Sequence, residues 1–349
     1  MDDFSPDMMP EAEWGFTEDS APGDVASYYD GTVLLFSQKD RVLPESAPVQ
    51  QRTLKNTISF AGVGLHSGRS ISVSLEPAET GYGIVFQRTD INASPLPARY
   101  DYVSETRLCT MLGHPSEPGN IVGTIEHLMA ALSAAGVTNL RVLIDGPEMP
   151  VLDGSAADFV FLLDCAGVCD QGSEQDRLHI LKTVRVEHGD AWVELSPGRS
   201  DCFSIDLGIN FSAPVIGRQS VSFVLSEPTF RNRIACSRTF VMRQEIEALR
   251  AVGLARGGSL KNALVVENDT VLNPDGLRVQ DEFVRHKALD VIGDLALAGA
   301  PMRGCFRGYK SGHALNNTLL RNLFADPDAW SFGRRATVRK DVPGYSVAA

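Results

Sequence analysis

The sequence predicts an α+β protein of two domains, each of them a sheet layer covered by helices. Two observations support this prediction. Strand-like runs are followed by helix-like runs before residue 170, and the same succession begins again near Leu178. A polar linker, QGSEQD at 171–176, separates the two halves, and a length of 349 residues suits about two domains. The repeat is one of architecture only, because the two halves share no convincing sequence identity.

Residues 51–175 form the first predicted domain. The predicted strands, where apolar residues alternate or form short runs, are Ser70–Leu75, Gly83–Gln87 and Asn139–Ile144. Apolar residues at helical spacing predict a helix at Thr124–Ala135. A second helix is predicted at Ala156–Ala166, behind the capping-type sequence Asp153-Gly154-Ser155.

Residues 176–335 form the second predicted domain, in which the pattern starts again. The predicted strands are Val184–Val186, Ala191–Leu195 and Phe203–Ile209. The predicted helices are Gln244–Val252 and Asp281–Ala298. The longer helix is strongly amphipathic and is followed by Gly299, a residue type that is frequent at helix C-termini.

Residues 1–50 differ from the rest of the chain in composition. They contain eleven Asp and Glu residues and two Lys and Arg residues, and so carry −9 of the net charge of −12. Such an acidic, Pro- and Ser-bearing segment is typical of a disordered leader. Two alternatives stay open: a short partner-docking strand or helix built on the apolar island Thr32–Phe36, and a translation start later in the chain.

The remaining residues carry a charge of only −3, which argues against a nucleic-acid surface. No run of about 18 apolar residues is present, and the acidic N-terminus resembles neither a secretory signal nor a transit peptide. We therefore expect a cytoplasmic protein without a membrane span. Among the six cysteines only Cys165 and Cys169 lie close together, at the end of an apolar helix, which favours free thiols over a metal cluster.

The segment Asp281–Asp294, DEFVRHKALDVIGD, holds the first candidate metal ligands. His286 and Asp290 are four residues apart on the predicted helix, so both side chains project from one face. Imidazole and carboxylate groups suit Zn²⁺, whose catalytic sites use three protein ligands and keep one position open. The alternative is a surface ion pair, because a single His/Asp pair is weak evidence for a metal.

Glu126 and His127 stand together in the otherwise apolar helix Thr124–Ala135. Adjacent residues lie about 100° apart around a helix, so both can border one cleft in different roles. We predict His127 as the third ligand and Glu126 as the base that activates water. The alternative is a partly exposed Glu-His pair at the start of the helix.

His313 follows a Lys-Ser-Gly turn and precedes the helix-like sequence at 314–323. In a hydrolase it would protonate the leaving amine, and Asp294 would keep it protonated, because a nearby carboxylate raises the pKa of an imidazole. The alternative is a histidine beside a helix N-terminus. No HExxH or CxxC motif is present to indicate a familiar zinc fold.

Seven segments carry a resemblance to a known family. They are QRTLKNTISFAGVGLHSG (51–68), RLCTML (107–112), TIEHLMAAL (124–132), GPEMPVLDGSA (146–156), SRTF (237–240), DEFVRHKALDVIGDL (281–295) and YKSGHALNN (309–317). Several are long and specific, and they keep the order of the family between Gln51 and about Trp330. The sequence closely resembles the UDP-3-O-acyl-N-acetylglucosamine deacetylases, zinc enzymes that commit cells to lipid A synthesis.

The resemblance implies a role for each matching residue. The zinc ligands would be His127, His286 and Asp290. The catalytic residues would be Glu126 as base, His313 as acid, Asp294 as the carboxylate paired with His313, and Thr239 as the stabiliser of the oxyanion. The substrate-binding residues would be Lys287 and Lys310 near the phosphates, Phe211 on the uracil, Leu108 and Cys109 near the acyl-chain entrance, and also Phe240 and Gly312.

The family fold implies an active site between the two α+β domains, each of which carries a small insertion. The second insertion, at about 241–267, would be a β-α-β unit that forms an apolar passage for the acyl chain, lined by Ile246, Leu249 and Leu254. Val241-Met242 stand where the family usually has Gly and an aromatic residue, which leaves the preferred acyl length open.

The implied reaction is zinc-dependent hydrolysis of the acetamide of UDP-3-O-(3-hydroxyacyl)-N-acetylglucosamine, with release of acetate. We expect a monomer with one catalytic zinc ion, and Fe²⁺ is the alternative metal in the cell. Residues 336–349 are expected to form a flexible tail. Its small apolar end, YSVAA, is either a frayed terminus or a recognition tail for a regulatory protease.

Two other functions stay open beside this one. The first is a metal-free hydrolase, with Ser311 or Cys109 as the nucleophile beside His313. The second is a non-catalytic sugar-nucleotide sensor whose acidic leader recruits a partner. The presence of an acid, a base and three ligands argues against a sensor, which needs neither acid nor base.

Overall fold

The computed structural model describes residues 49–198 and 201–333, together with the backbone of two short strands nearer the N-terminus. These residues belong to two compact units, Met1–Ala47 and Pro48–Ala349.

The first unit contains an antiparallel pair of strands, β1 (Val25–Tyr29) and β2 (Thr32–Phe36). β2 coincides with the apolar island of the leader. The other predictions for residues 1–50, and the flexible tail predicted at 336–349, lie outside the described residues.

The first half of the second unit is built around one large sheet. The strands of this half are β3 (Gln50–Leu54), β4 (Ile58–Val63), β5 (Ser70–Pro77), β6 (Ile84–Arg88), β7 (Leu96–Pro97), β8 (Val103–Glu105), β9 (Met111–His114), β10 (Glu117–Val122), β11 (Leu140–Ile144) and β12 (Val168–Glu174). Its α-helices are α1 (Glu126–Ala135) and α2 (Ala157–Ala166). The large sheet has the order β4-β5-β11-β6-β7, in which β11 and β6 run parallel. Alternate residues of β5, Ile71, Val73 and Leu75, are buried, so one face of the sheet lies on the core.

The second half is built around a seven-stranded sheet. The strands of this half are β13 (Arg177–Ile180), β14 (Val184–His188), β15 (Ala191–Ser196), β16 (Phe203–Asn210), β17 (Arg218–Val224), β18 (Phe240–Met242), β19 (Leu264–Glu267), β20 (Thr270–Val271), β21 (Met302–Tyr309) and β22 (Trp330–Gly333). All of them except β18, β19 and β20 belong to the seven-stranded sheet. The α-helices of this half are α3 (Glu227–Thr229), α4 (Arg243–Ala251), α5 (Glu282–Ala296) and α6 (His313–Ala325). The sheet follows the order β14-β15-β21-β13-β22, and β16 pairs with both β21 and β17.

Helices α1 and α5 pack directly against each other in the core. A Cβ atom on Gly293 of α5 would overlap the backbone oxygen of Glu126 in α1. Only glycine permits so close an approach, and this glycine therefore sets the distance between the helices. Twelve of the fifteen residues of α5 are buried, so the polar side chains on this helix are held away from bulk water.

A small strand-helix-strand unit lies in the second half. β18 and β19 pair in parallel, α4 connects them, and β20 pairs antiparallel with β19. None of the nine residues of α4 is buried. This helix therefore contributes little to the core and much to the surface.

The mixed α/β composition, with several sheets and six α-helices among the described residues, agrees with the predicted α+β class. The predicted helix Asp281–Ala298 is observed as α5, which ends at Ala296 because the amide of Leu297 turns back to the carbonyl of Asp294. Cys165 and Cys169 have free thiols, as predicted. No helix in the described part of the chain combines the length and apolar character that crossing a bilayer requires.

Candidate active site

Three buried side chains from two helices bring two imidazoles and a carboxylate together. His127 belongs to α1, and His286 and Asp290 belong to α5; one candidate ligand atom from each lies within 4.8 Å of the others. Asp290 Oδ1 is 3.4 Å from His286 Nε2 and 3.8 Å from His127 Nε2. The ligands of a tetrahedral zinc ion lie ~3.4 Å apart when each bond is ~2.0–2.2 Å. The spacing therefore fits a single metal ion.

The protonation of these side chains suits a metal ion as well. Burial lowers the pKa of His127 to about 3 and also lowers the pKa of His286, so both imidazoles are neutral. Burial opposes the ionisation of Asp290, but the neighbouring His286 and Lys287 outweigh it and hold the carboxyl pKa below its ordinary value. Neutral imidazoles and an ionised carboxylate are the forms that bind metals.

Neighbouring groups orient two of the candidate ligands. His286 donates from Nδ1 to the backbone oxygen of Ser237 over 3.0 Å, which leaves Nε2 unprotonated. Lys287 donates to Asp290 Oδ2 over 2.9 Å, which leaves Oδ1 facing the two histidines. Partners of this kind fix the tautomer and direction of metal ligands.

Glu126 is the first residue of α1 and is also buried. Its Oε2 accepts a hydrogen bond from the backbone N–H of Thr110 at 3.1 Å. Burial raises the pKa of Glu126 to about 7, although the charge of His313 opposes this rise. A carboxylate with such a pKa can accept a proton near neutral pH.

His313 faces Glu126 from the first turn of α6. Its Nε2 lies 3.8 Å from Glu126 Oε1, and its Nδ1 donates to Asp294 Oδ2 over 2.8 Å. Burial opposes the positive charge, but Asp294 and Glu126 outweigh it and raise the pKa of His313 to about 10. Asn316 and Thr110 also donate hydrogen bonds to Asp294, so the carboxylate is fixed in place. The structure thus brings a buried carboxyl group of raised pKa and a protonated imidazole together in the lining of one cleft.

The two predicted lysines line this cleft with Gly312. Lys287 is paired with Asp290 and lies 5.6 Å from the centre of the Phe240 ring. Lys310 pairs with the exposed carboxylate of Asp190. The Lys287 ammonium is therefore held by a buried carboxylate, and the Lys310 ammonium by an exposed one.

Two adjoining cavities meet at the cleft. The first, of about 470 Å³, contains the candidate ligands, Glu126 and His313. The second, of about 390 Å³, is lined by Ile246 and Leu249 of α4, whereas Leu254 is not part of its lining. Thr239, Phe240 and Leu108 line both cavities. Together with Leu65 and His66, which also line both, these residues form the boundary between a more polar cavity and a more apolar one.

Two predicted substrate-binding residues lie outside both linings. Cys109 is buried, and burial raises the pKa of its thiol to about 12. A thiol held protonated is a poor nucleophile, which argues against the metal-free alternative that uses Cys109. Phe211 packs edge-on against Phe240, with ring centres 5.4 Å apart. Their roles toward substrate stay predictions.

Three residues that line the polar cavity have a backbone conformation that side chains rarely adopt. Leu108, Thr124 and Lys310 have φ values of 71°, 55° and 53°. Such conformations cost free energy and concentrate at functional sites. Thr124 was not predicted as a site residue, because nothing in its sequence context marks a positive φ.

His66 and Glu148 were also missed by the sequence analysis. His66 lines both cavities, and both of its ring nitrogens are without a hydrogen-bond partner among the described residues. Glu148 is buried and accepts hydrogen bonds from the backbone N–H groups of His66 and Ser67, at 3.1 and 2.6 Å. The position of His66 among the turn residues of GVGLHSG was a sequence signal that could have identified it as a site residue. Glu148 gave no such signal, because it lies far from His66 in the chain.

Comparisons with known proteins point to one family. The family model for UDP-3-O-acyl N-acetylglycosamine deacetylase (LpxC) matches residues 51–325. A relative from Acidithiobacillus ferrooxidans is 48% identical over 288 residues, which cover 81% of this chain and 93% of the relative. A relative from Myxococcus xanthus is 49% identical over 80% of this chain and 88% of its own length. One from Shewanella violacea is 46% identical over 85% and 97%. All three are named UDP-3-O-acyl-N-acetylglucosamine deacetylase.

Proposed function

Because the chain belongs to the UDP-3-O-acyl-N-acetylglucosamine deacetylase family, we propose that it hydrolyses the acetamide of UDP-3-O-(3-hydroxyacyl)-N-acetylglucosamine. The products are acetate and UDP-3-O-acyl-glucosamine, and the reaction is the committed step of lipid A biosynthesis. The observation that carries the proposal is the buried cluster of His127, His286 and Asp290 beside the paired Glu126 and His313.

One zinc ion is the metal that we assign to this cluster, with Fe²⁺ as the alternative in the cell. Two imidazoles and one carboxylate suit both ions. When bound, the ion polarises the acetamide carbonyl and lowers the pKa of water. The neutral histidines and the ionised Asp290 support this assignment, because no proton has to leave them before the metal binds.

The proton transfers fall to Glu126 and His313. Glu126 accepts a proton from the attacking water, since its buried carboxyl group faces His313 Nε2 at 3.8 Å and has a pKa raised to about 7. His313 donates the proton on Nε2 to the departing glucosamine nitrogen, while Asp294 holds Nδ1 and keeps the ring protonated. A separate base and acid allow amide cleavage near neutral pH without a covalent intermediate.

Other residues of the cleft bind the substrate in this proposal. The Thr239 hydroxyl stabilises the negative charge that develops on the carbonyl oxygen. Lys287 and Lys310 attract the phosphates, which requires Lys310 to exchange its exposed partner Asp190 for phosphate oxygen. Phe211 and Phe240 form an aromatic pair beside the cleft, where Phe211 offers a stacking face to uracil.

The acyl chain occupies the 390 Å³ cavity lined by Ile246 and Leu249. In this proposal β18, α4 and β19, at about 241–267, form the acyl passage and the second insertion. In this proposal residues 51–175 and 176–335 are the two domains, and the contact between α1 and α5 supports a site between them. Leu108 and Cys109 lie at the entrance.

The setting of the enzyme is also a proposal. We place it in the cytoplasm as a monomer, where its nucleotide-linked substrate is found. The C-terminal tail at 336–349 would be the target of a regulatory protease.

Acetate release from UDP-3-O-(3-hydroxyacyl)-N-acetylglucosamine tests the function. The purified chain is dialysed against a chelator, assayed, and assayed again after one equivalent of Zn²⁺ is added. We expect turnover to disappear with the metal and to return with zinc. Turnover that survives complete metal loss would contradict the metal-dependent mechanism, and failure to act on this substrate in the metal-loaded state would contradict the substrate assignment.

A further inference from the structure

The end of α4 and the loop that follows it expose cations and apolar side chains together. Residues 248–266 contain three basic residues and no Asp or Glu, in a chain whose net charge is −12. Arg250, Arg256 and Lys261 are exposed, and none of them forms an ion pair within the described residues. Val252 is 68% exposed and Leu260 is 43% exposed. These five residues are called the cationic-apolar rim.

The rim is held in place by the main body of the protein. The backbone N–H groups of Arg256 and Gly257 donate to the oxygens of His66 and Leu65, at 3.2 and 3.0 Å. A Cβ atom on Gly257 would lie 2.7 Å from a methyl group of Val63, which is itself 42% exposed. The loop therefore presents its side chains from a fixed position.

The rim borders the mouth of the more apolar cavity. Arg250 and Leu260 line this cavity from the rim side, and Leu108, which is 45% exposed, lines it from the other side. The two acidic residues nearest in sequence, Glu245 and Glu247, lie on the earlier turns of α4. Beyond Glu247, the end of α4 and the following loop carry only basic charges as far as Val266.

We propose that the cationic-apolar rim binds an anionic lipid surface. Cations beside exposed apolar side chains suit a membrane interface, because the cations meet the acidic headgroups while the apolar groups enter the acyl boundary. An acidic polypeptide without apolar side chains would meet the cations alone and would leave Val252 and Leu260 in water. The inference concerns binding at a surface and does not depend on the proposed deacetylation.

Vesicle flotation of the full-length protein, without substrate, tests this inference. The vesicles contain phosphatidylglycerol mixed with phosphatidylcholine, and pure phosphatidylcholine vesicles serve as the comparison. We expect flotation with the anionic vesicles, loss of binding as salt is raised, and no flotation with the neutral vesicles. Absence of flotation with anionic vesicles overturns the proposal.

Substitutions locate the binding surface. The double variant Arg256→Gln/Lys261→Gln is expected to bind about 25-fold more weakly, about fivefold for each cation removed. Val252→Ser is expected to weaken binding without a change in charge. The matched control Lys182→Gln/Arg307→Gln removes two exposed cations elsewhere on the surface and is expected to float like the parent protein. Thermal unfolding of every variant establishes that it is folded.

Two results would overturn the assignment of the surface. Equal losses in the double variant and its control would mean that net charge alone drives binding. The protein could instead fail to bind the vesicles and yet be retained on immobilised polyglutamate, with the retention lost in the double variant Arg256→Gln/Lys261→Gln. That result would assign the rim to an acidic protein partner.

Discussion

Helices α5 and α4 are both rich in charged residues, yet they sit in opposite surroundings. Twelve of the fifteen residues of α5 are buried, and none of the nine residues of α4 is buried. On α5 the charges of Lys287 and Asp290 are paired at 2.9 Å beside the candidate metal site. On α4 the charge of Arg243 is 3.9 Å from Glu267, and both side chains are largely exposed.

In the proposed function, this difference separates the chemistry, which takes place beside α5, from the selection of the acyl chain, which takes place beside α4. Electrostatic interactions are strong in the poorly solvated interior around α5, which is where pKa values and metal ligands have to be controlled. An exposed pair such as Arg243–Glu267 contributes little to stability. The wall of the second cavity can therefore vary at low cost, whereas α5 cannot.

The largest effect is expected in the buried centre. His313→Ala removes the proposed general acid while all three candidate ligands remain, so turnover should fall by about 10²–10⁴-fold. Acetate release at saturating substrate measures this loss, and elemental analysis checks that metal remains. His114→Ala, which removes a histidine that lines neither cavity at the cleft, is the control and should keep its turnover. Wild-type turnover in metal-loaded His313→Ala would show that another group acts as the acid.

The second effect concerns the contact between α1 and α5. In Gly293→Ala the new Cβ meets the backbone oxygen of Glu126, so the helices must move apart. We expect a loss of about 1–3 kcal/mol in the free energy of unfolding, together with reduced turnover. Denaturant unfolding and the acetate assay measure the two. Gly119→Ala, whose Cβ meets no atom within 4 Å, is the control; equal behaviour of the two variants would contradict the packing argument.

The third effect is a shift in the pH profile. His313 acts as an acid only while protonated, so activity is lost as pH rises through its pKa of about 10. Asp294→Asn removes a negative charge that raises this pKa, and the alkaline limb of kcat/KM should therefore move to lower pH. Asn316→Ser leaves the charge of Asp294 in place, and its alkaline limb should stay where it is. If the alkaline limb of kcat/KM does not move in Asp294→Asn, Asp294 does not raise the pKa of the group that acts as the acid.

The smallest effect on stability is expected on α4. Leu249→Ala removes a half-buried side chain from the cavity wall, so it should alter KM for substrates of different acyl length and change stability by less than about 1 kcal/mol. The same substitution at fully buried Leu289 of α5 should cost about 2–5 kcal/mol. Chemical denaturation and assays over a series of acyl lengths compare the two variants. Equal losses in the free energy of unfolding for Leu249→Ala and Leu289→Ala would contradict the difference proposed between α4 and α5.

The sequence predicted the long helices well, because a helix repeats its pattern over several turns. It missed the long strands β12, β17 and β21, and the predicted linker at 171–176 was wrong, since most of it belongs to β12, which pairs with β3. α1, α2, α4 and α5 were all placed within about two residues of their observed bounds. The short strands β7, β8 and β20 were not predicted, since two or three residues hold no measurable alternation and form only when a partner strand is present.

The candidate site divides in the same way. His286, Asp290 and Asp294 are at helical spacing and could be grouped from sequence alone. The meeting of α5 with Glu126 depends on the close approach at Gly293, which no local pattern indicates. The turn around His66 likewise depends on Glu148, 82 residues away, which accepts a hydrogen bond from its backbone. The sequence did not predict this contact, because a single buried carboxylate produces no periodic pattern.

The most direct test of the central claim is Glu126→Gln, with metal content and acetate release measured on the same preparation. The substitution keeps the shape of the side chain and removes only its basicity, while the candidate ligands His127, His286 and Asp290 are untouched. We predict the metal content of the parent protein and a turnover lowered by about 10²–10⁴-fold. A fully metal-loaded variant with the turnover of the parent would contradict the assignment of Glu126 as the base and the account built on it.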